Sequence, residues 1–543
     1  MVEPVAGRGD LACPLFRRFE RAWVISLTRR FTPEDEPHRK GFFPSEGFSL
    51  AGRTKNAFRI PLPLSSLTAG MEKLAWAVFW ICLPITSFRF FPGGLGGGTL
   101  VRPLSVYPML ILLIIGVIPR LWTRPLPKTV MTLFPFGGSL LASALVSTQL
   151  GIDPALGISV GDRVLRALVT FGIGVAFYLT VVLMSDSPER LKSALRWMIV
   201  GFSLAFLWGS LQVVYILRFH PAYFSFLNRL QLVFSIRKLF PTRISGPTYE
   251  PNWFAEQICM LLLPWLIAAV ITGRSFFRWR WRRLTVEGLL CLWAILLVGF
   301  TYSRAGYLNI ALLGVAAVFL LRSQSASNTS RSPRRQWMRR LLDVLVLLAV
   351  FSGGVYVVGQ KNAFFSRLWG YWFEVKNTSL DDYLQYLGFG ARLAYVSAAV
   401  HTFEAYPITG VGPGNYGFFF VQMLPDQPLA PTPELLRITS PEEGRNRLIT
   451  PKNLYLRILS ETGLLGMAAF LAFLVAVLGC GLFLWFSSDP QEHLWGCASL
   501  LGMVVFLTAA LSFDSFALPN MWVMFGLTTA AGALGWKKAA TNR

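Results

Sequence analysis

Charge is scarce in this sequence. Of its 543 residues only 15% are Asp, Glu, Lys or Arg, while 54% are hydrophobic. Soluble domains carry about 25% charged residues, so an ordinary string of soluble domains is excluded. Histidine is nearly missing as well. There are four, none in HExxH spacing, which removes the usual arrangement of a zinc hydrolase. The six cysteines, Cys13, Cys82, Cys259, Cys291, Cys480 and Cys497, show no CxxC spacing, so neither a metal site nor a disulfide framework is indicated. Five of them fall in apolar runs, where cysteine packs as a small hydrophobe. The amino-terminal residues lack the pattern of a cleavable signal peptide, and no internal repeat of fixed period is visible.

What is plentiful is apolar sequence. Runs of about 18–22 residues recur along most of the chain, each able to cross a hydrocarbon core of about 30 Å. The reading is an all-α polytopic membrane protein with about twelve transmembrane helices. The runs lie near 72–90, 104–121, 129–148, 164–185, 195–217, 253–272, 286–302, 304–321, 341–359, 454–485, 493–513 and 517–536. The tenth is long enough to be tilted or broken. Residues 1–69 are polar and basic and contain Pro and Gly, which predicts a flexible cytoplasmic tail. Met71 directly precedes the first apolar run and is a candidate alternative start.

The net charge is +23, but its arginines cluster in short segments between apolar runs, as in GRSFFRWRWRRLTVE and RSQSASNTSRSPRRQWMRR. That is the positive-inside pattern of cytoplasmic loops, not a nucleic-acid surface. If the basic tail is inside, so are Arg120, Arg124 and Lys128, then Arg190, Lys192 and Arg196, then the basic runs at 274–283 and 322–340, and the terminal WKKAATNR. Two large segments, about 218–252 and about 360–452, are then outside. The first is aromatic and basic, which predicts a helix lying in the outer interface.

The outer ends of the spans hold the candidate chemistry. Arg304 opens the run SRAGYLNIALLGVAAVFLL. Near the interface the insertion cost of its charge drops, and its guanidinium can either reach a water-filled cavity or snorkel to headgroups. RISGPTYEPNWFAEQ brings Arg243 and Asn252 to the sixth span. GARLAYVSAAVHTFEAYPITGVGPGNYGFFF brings Arg392 and a Gly-rich turn. TPKNLYLRILSETGLLG brings Lys452, Asn453 and Tyr455 to the start of the tenth span, with Glu461 about two turns further in. Glu461 has three readings: a base, a partner for an arginine, or a neutral acid. GVGPGNYG has no βαβ context and contains Pro413, so a turn anchoring the loop is a better reading than a dinucleotide fingerprint. His401 is alone on an amphipathic stretch and reads as packing.

Taken in order, these four segments resemble the O-antigen ligase/O-antigen polymerase family of membrane glycosyltransferases. SRAG resembles its S-R-small-small helix entrance, and the Arg243 segment its R..G....N pattern. The Arg392 segment resembles its R…P-x-x-G-x-G stretch, and KNLYLRILSETGLLG its N-x-Y/F-L…E-x-G-x-x-G helix. The resemblance covers roughly residues 240–470 and implies that 70–543 form a transmembrane glycosyltransferase-like domain containing the large extracytoplasmic loop 360–452. It implies a glycan on a polyprenyl diphosphate as donor and a glycan or lipid hydroxyl as acceptor. It also implies a multi-pass site in the cell's inner (cytoplasmic) membrane with an extracytoplasmic active face, and neither metal nor cofactor. Arg304, Arg243, Lys452 and Glu461 would be catalytic; Arg392, Asn453, Asn252 and Tyr455 would bind substrate. Ligases of the family carry histidine immediately before the Asn; here Lys452 stands there, either as a further phosphate contact or as a base of lowered pKa. An anion or solute transporter is the competing reading. It predicts polar groups at the bilayer midplane, whereas these cations gather at one edge.

Overall fold

The computed structural model describes residues 64–91, 100–277, 280–281, 284–326, 333–360, 362–374, 379–424, 434–436 and 448–541. The expected tail lies outside them up to residue 63, as do parts of the expected loop 360–452. Helix α1, Leu64–Cys82, begins within the segment read as tail. There follow α2 Val106–Thr123, α3 Lys128–Ser147, α4 Val160–Met184, α5 Pro188–Leu217, α6 Pro221–Phe234, α7 Pro251–Thr272 and α8 Val286–Phe300. Next come α9 Arg304–Ala326, α10 Pro333–Gly359, α11 Ala363–Glu374, α12 Leu380–Tyr386, α13 Gly390–Ala405 and α14 Tyr416–Phe419. The last are α15 Leu454–Trp485, α16 Pro490–Ala509 and α17 Pro519–Thr541.

Among the described residues nine helices are long and apolar enough to cross a membrane: α2, α3, α4, α5, α7, α9, α10, α15 and α16. The remaining expected runs fall on α1, on the shorter α8 and on α17. The chain is a multi-pass helical membrane protein. A two-residue antiparallel ribbon, Arg280–Trp281 with Leu284–Thr285, precedes α8 in the basic segment.

Lipid is as apolar as leucine, so helices associate in it through close packing at small residues rather than through water exclusion. Gly174 of α4 shows this. A Cβ there would run into the Trp522 indole on α17 and the Phe516 carbonyl.

Helix α15 is broken, as its length allows. Gly463 has φ 62° and ψ −162°, outside the helical region and open only to glycine at little cost. Backbone from the large loop fills the break. Leu464 N–H donates to Pro407 O at 2.8 Å, Val411 N–H to Ser460 O at 3.0 Å, and Gly412 N–H to Glu461 O at 3.0 Å. Backbone groups freed inside a membrane helix must find protein partners, and segment 407–412 supplies them.

Charge divides the two ends of the bundle. At one end Glu72 accepts from Arg120 at 2.9 Å and Arg190 at 2.6 Å, and Arg124 reaches Asp186 at 2.6 Å. Asp489 pairs there with Lys538. The other end carries the candidate site.

Candidate functional site

The site is built at the entrance of α9. Ser303 is the N-cap: its Oγ accepts from Gly306 N–H at 3.1 Å, satisfying one orphan amide of the first turn. Gly306 must be small, because a Cβ there would stand 2.7 Å from the Ala255 Cβ on α7. The S-R-small-small sequence is thus a cap followed by a close helix crossing, and between them it fixes where Arg304 leaves the backbone. Arg304 is half-buried. Its Nη1 donates to Leu387 O at 2.9 Å, and its guanidinium lies 5.7 Å from the Phe389 ring. Both partners belong to the turn that starts α13.

Arg243 arrives from the loop before α7. Gln212 of α5 is fully buried and holds this loop, accepting from Ser245 N–H at 3.0 Å and Gly246 N–H at 3.1 Å. Arg243 then donates from Nε to Thr301 O at 2.8 Å and from Nη2 to Asn252 Oδ1 at 3.0 Å. Burial lowers the Arg243 pKa, the charge of Glu250 opposes that, and the charge of Arg304 adds to it. Arg243 and Arg304, 61 positions apart in sequence, therefore act on one another electrostatically.

Arg392 joins them from α13. It is half-buried, makes no hydrogen bond or ion pair among the described residues, and lies close enough for its charge to act on Arg304 and on Glu256. Arg367 of α11, exposed, acts on Arg304 as well. The sequence reading did not single out Arg367 or Glu256. Glu256 carries the same signal as Arg304, an ionisable group in an apolar run.

The start of α15 forms an adjoining cluster. Lys452 has φ 56°, and its backbone N–H donates to Asp514 Oδ2 at 2.7 Å, which leaves the side chain exposed. Asn453 is the N-cap of α15, accepting from Tyr455 N–H at 3.0 Å and Leu456 N–H at 3.2 Å. The Tyr455 hydroxyl donates to Leu507 O at 3.0 Å. Both expected substrate contacts thus have structural partners.

Glu461 is buried and pairs with Arg457 at 3.1 Å, the partner reading. Arg457, not singled out from sequence, also donates to Asp514 O at 2.6 Å. Arg163 of α4 donates to Gly414 O at 2.8 Å and Leu448 O at 3.3 Å, gripping the Gly-rich turn. In that turn Gly410, Gly412 and Gly414 all have positive φ. His401 Nδ1 lies 3.0 Å from Met423 O. Among the described residues no group of three or more His, Cys, Asp or Glu is placed to hold a metal ion.

The cations Arg243, Arg304 and Arg392, opposed by Glu250 and Glu256, leave a net positive site at one end of the bundle, suited to a dianionic group. Residues 288–471 match the family model described as O-antigen ligase. The match supports assignment to the O-antigen ligase/polymerase family and a membrane glycan-transfer function. It covers the Arg304 entrance, the large loop and the Glu461 helix. Among curated proteins none matches the chain.

Proposed function

We propose that the protein transfers or polymerises a glycan from a polyprenyl-diphosphate donor onto an acceptor hydroxyl at the outer leaflet of the cytoplasmic membrane. The observation that carries this reading is that Arg243 bonds the Thr301 carbonyl, three residues before Arg304, while Arg304 bonds the Leu387 carbonyl, five residues before Arg392, so cations from three separate elements are gathered at one end of the bundle. The opposite end bears Arg120, Arg124 and Arg190, and by the positive-inside bias this supports an extracytoplasmic site. The twelve-span topology, with 360–452 as the large outer loop, belongs to the same proposal.

In the reaction the diphosphate departs and negative charge develops on its oxygens. Guanidinium groups fixed there stabilise that charge most where water is excluded, and their planar forks match phosphate oxygens. Arg304, Arg243 and Arg392 hold the diphosphate, with Asn252 orienting Arg243 and Lys452 adding a cation from the rim. Asn453 and Tyr455 set the helix that presents Lys452. Glu461 pairs with Arg457 beneath it. Side-chain cations supply the charge stabilisation without a metal. The acceptor oxygen attacks the anomeric carbon with inversion.

Deletion of the gene followed by analysis of surface glycan tests the reading. Loss of long chains with single repeats retained identifies a polymerase. Lipid-linked long chains that never reach their acceptor identify a ligase. Unaltered glycan with impaired solute uptake overturns the proposal in favour of transport.

A further inference from the structure

Glu256 is 2% exposed, one turn into α7. It stands four residues after Asn252, so the two share a helix face, and Asn252 receives Arg243 at the site. The Glu256 carboxylate has no ion pair within 4 Å among the described residues; Arg392 and Glu250 are the charged groups that act on it. A buried ionisable group in a membrane helix marks function by default.

Its hydrogen-bonding partner is Ser512, in the turn between α16 and α17. The Ser512 Oγ lies 2.7 Å from Glu256 Oε1 and 2.9 Å from Ala509 O. A hydroxyl has one proton and two lone pairs, so this geometry satisfies both protonation states of the acid. With Glu256 ionised, Ser512 donates to Oε1. With Glu256 protonated, the acid donates to Ser512, and Ser512 donates to Ala509 O. Ser512 itself is half-buried, whereas Glu256 is 2% exposed, so of the two groups the hydroxyl is the less enclosed.

We infer that Glu256 is the proton acceptor of the transfer reaction, reached through the Ser512 hydroxyl. The inference rests on the glycan-transfer reading. As the acceptor oxygen bonds to the anomeric carbon, the bond from that carbon to the phosphate oxygen breaks, and its electron pair leaves with the polyprenyl diphosphate. The acceptor proton passes to Ser512 Oγ while the Ser512 proton passes to Glu256 Oε1. Glu256 returns it to solvent by the same route before the next turnover.

The test uses the full-length protein in liposomes, with lipid-linked glycan extracted from a strain lacking the gene as donor, and release of polyprenyl diphosphate as readout. General-base removal costs about 100- to 10,000-fold. Glu256→Gln is expected to lower kcat by at least ~100-fold with the donor KM unchanged, and Glu256→Asp to restore part of it. Ser512→Ala, which removes one hydroxyl from a half-buried position, is expected to lower kcat about tenfold at unchanged KM. It decides the matter alone if Glu256→Gln does not fold. Wild-type kcat in the Gln or Ala variant overturns the relay and leaves the transfer reading standing. A wild-type protein that releases no polyprenyl diphosphate overturns both.

Discussion

The Arg243 Nε donates to the carbonyl oxygen of Thr301 at 2.8 Å, so the loop before α7 is fastened to the turn three residues ahead of Arg304. Two helix entrances distant in sequence are thereby held as one unit. Arg243→Ala removes both the fastening and a cation, whereas Arg243→Lys keeps the charge and loses the fork. Donor turnover is expected to fall about 100-fold or more in the first and about tenfold in the second. A lysine variant as impaired as the alanine variant would show that geometry outweighs charge.

Gln212 is the support for that loop. Gln212→Leu strands the amides of Ser245 and Gly246, each a buried donor whose loss of partner costs about 1–3 kcal/mol. Thermal unfolding in detergent should shift down, and turnover should drop with it because Arg243 loses its seat.

Gly410 and Gly463 close the break in α15 from opposite sides. A Cβ on Gly410 would meet the Glu461 carbonyl carbon, and one on Gly463 the Ile408 carbonyl. Both have positive φ, where a side chain adds about 1–3 kcal/mol of strain. Alanine at either position should lower the yield of folded protein sharply, measured by size-exclusion chromatography. Alanine at Gly479, which meets nothing within 4 Å, should not.

The Arg457–Glu461 pair separates a structural from a chemical role for Glu461. Removing one member of a buried pair costs about 3–5 kcal/mol, while replacing both with apolar residues is often neutral. Glu461→Gln should destabilise. The double variant Arg457→Met with Glu461→Leu should recover stability and, if the pair is structural, a measurable fraction of turnover.

Asp489 at the opposite end is held below the ordinary aspartate range, chiefly by its hydrogen bond from Lys538, with burial opposing and the Gln491 and Glu492 amides helping. Because its folded pKa is depressed, its contribution is present above the unfolded value of about 3.9 and lost as pH falls through the lower folded value. Asp489→Asn should therefore lower the unfolding temperature at pH 7 and converge with wild type as pH falls through the depressed folded value.

The helices were legible because spans declare themselves by length and apolarity, and the entrance arginines because charge in such runs is conspicuous. The Glu461 partner was legible in kind, since an isolated buried charge is costly, and Arg457 at i+4 spacing was in view. The Gln212 support was not, because a glutamine in an apolar helix gives no hint of which distant loop it holds. Nor could sequence show that Gly410 plugs a broken helix; that role depends on a contact with Glu461 about fifty residues away and on positive φ values. Glu256 was readable by the same rule that exposed Arg304, but its Ser512 partner, 256 positions away, was not.

The most direct measurement is turnover of lipid-linked donor by purified Arg304→Ala protein in liposomes, beside wild type and Arg367→Ala. Loss of about 100-fold or more in the Arg304 variant, with the exposed Arg367 variant much less affected, is the result expected of a diphosphate site at the entrance of α9. Wild-type turnover in Arg304→Ala, with the protein folded, contradicts it.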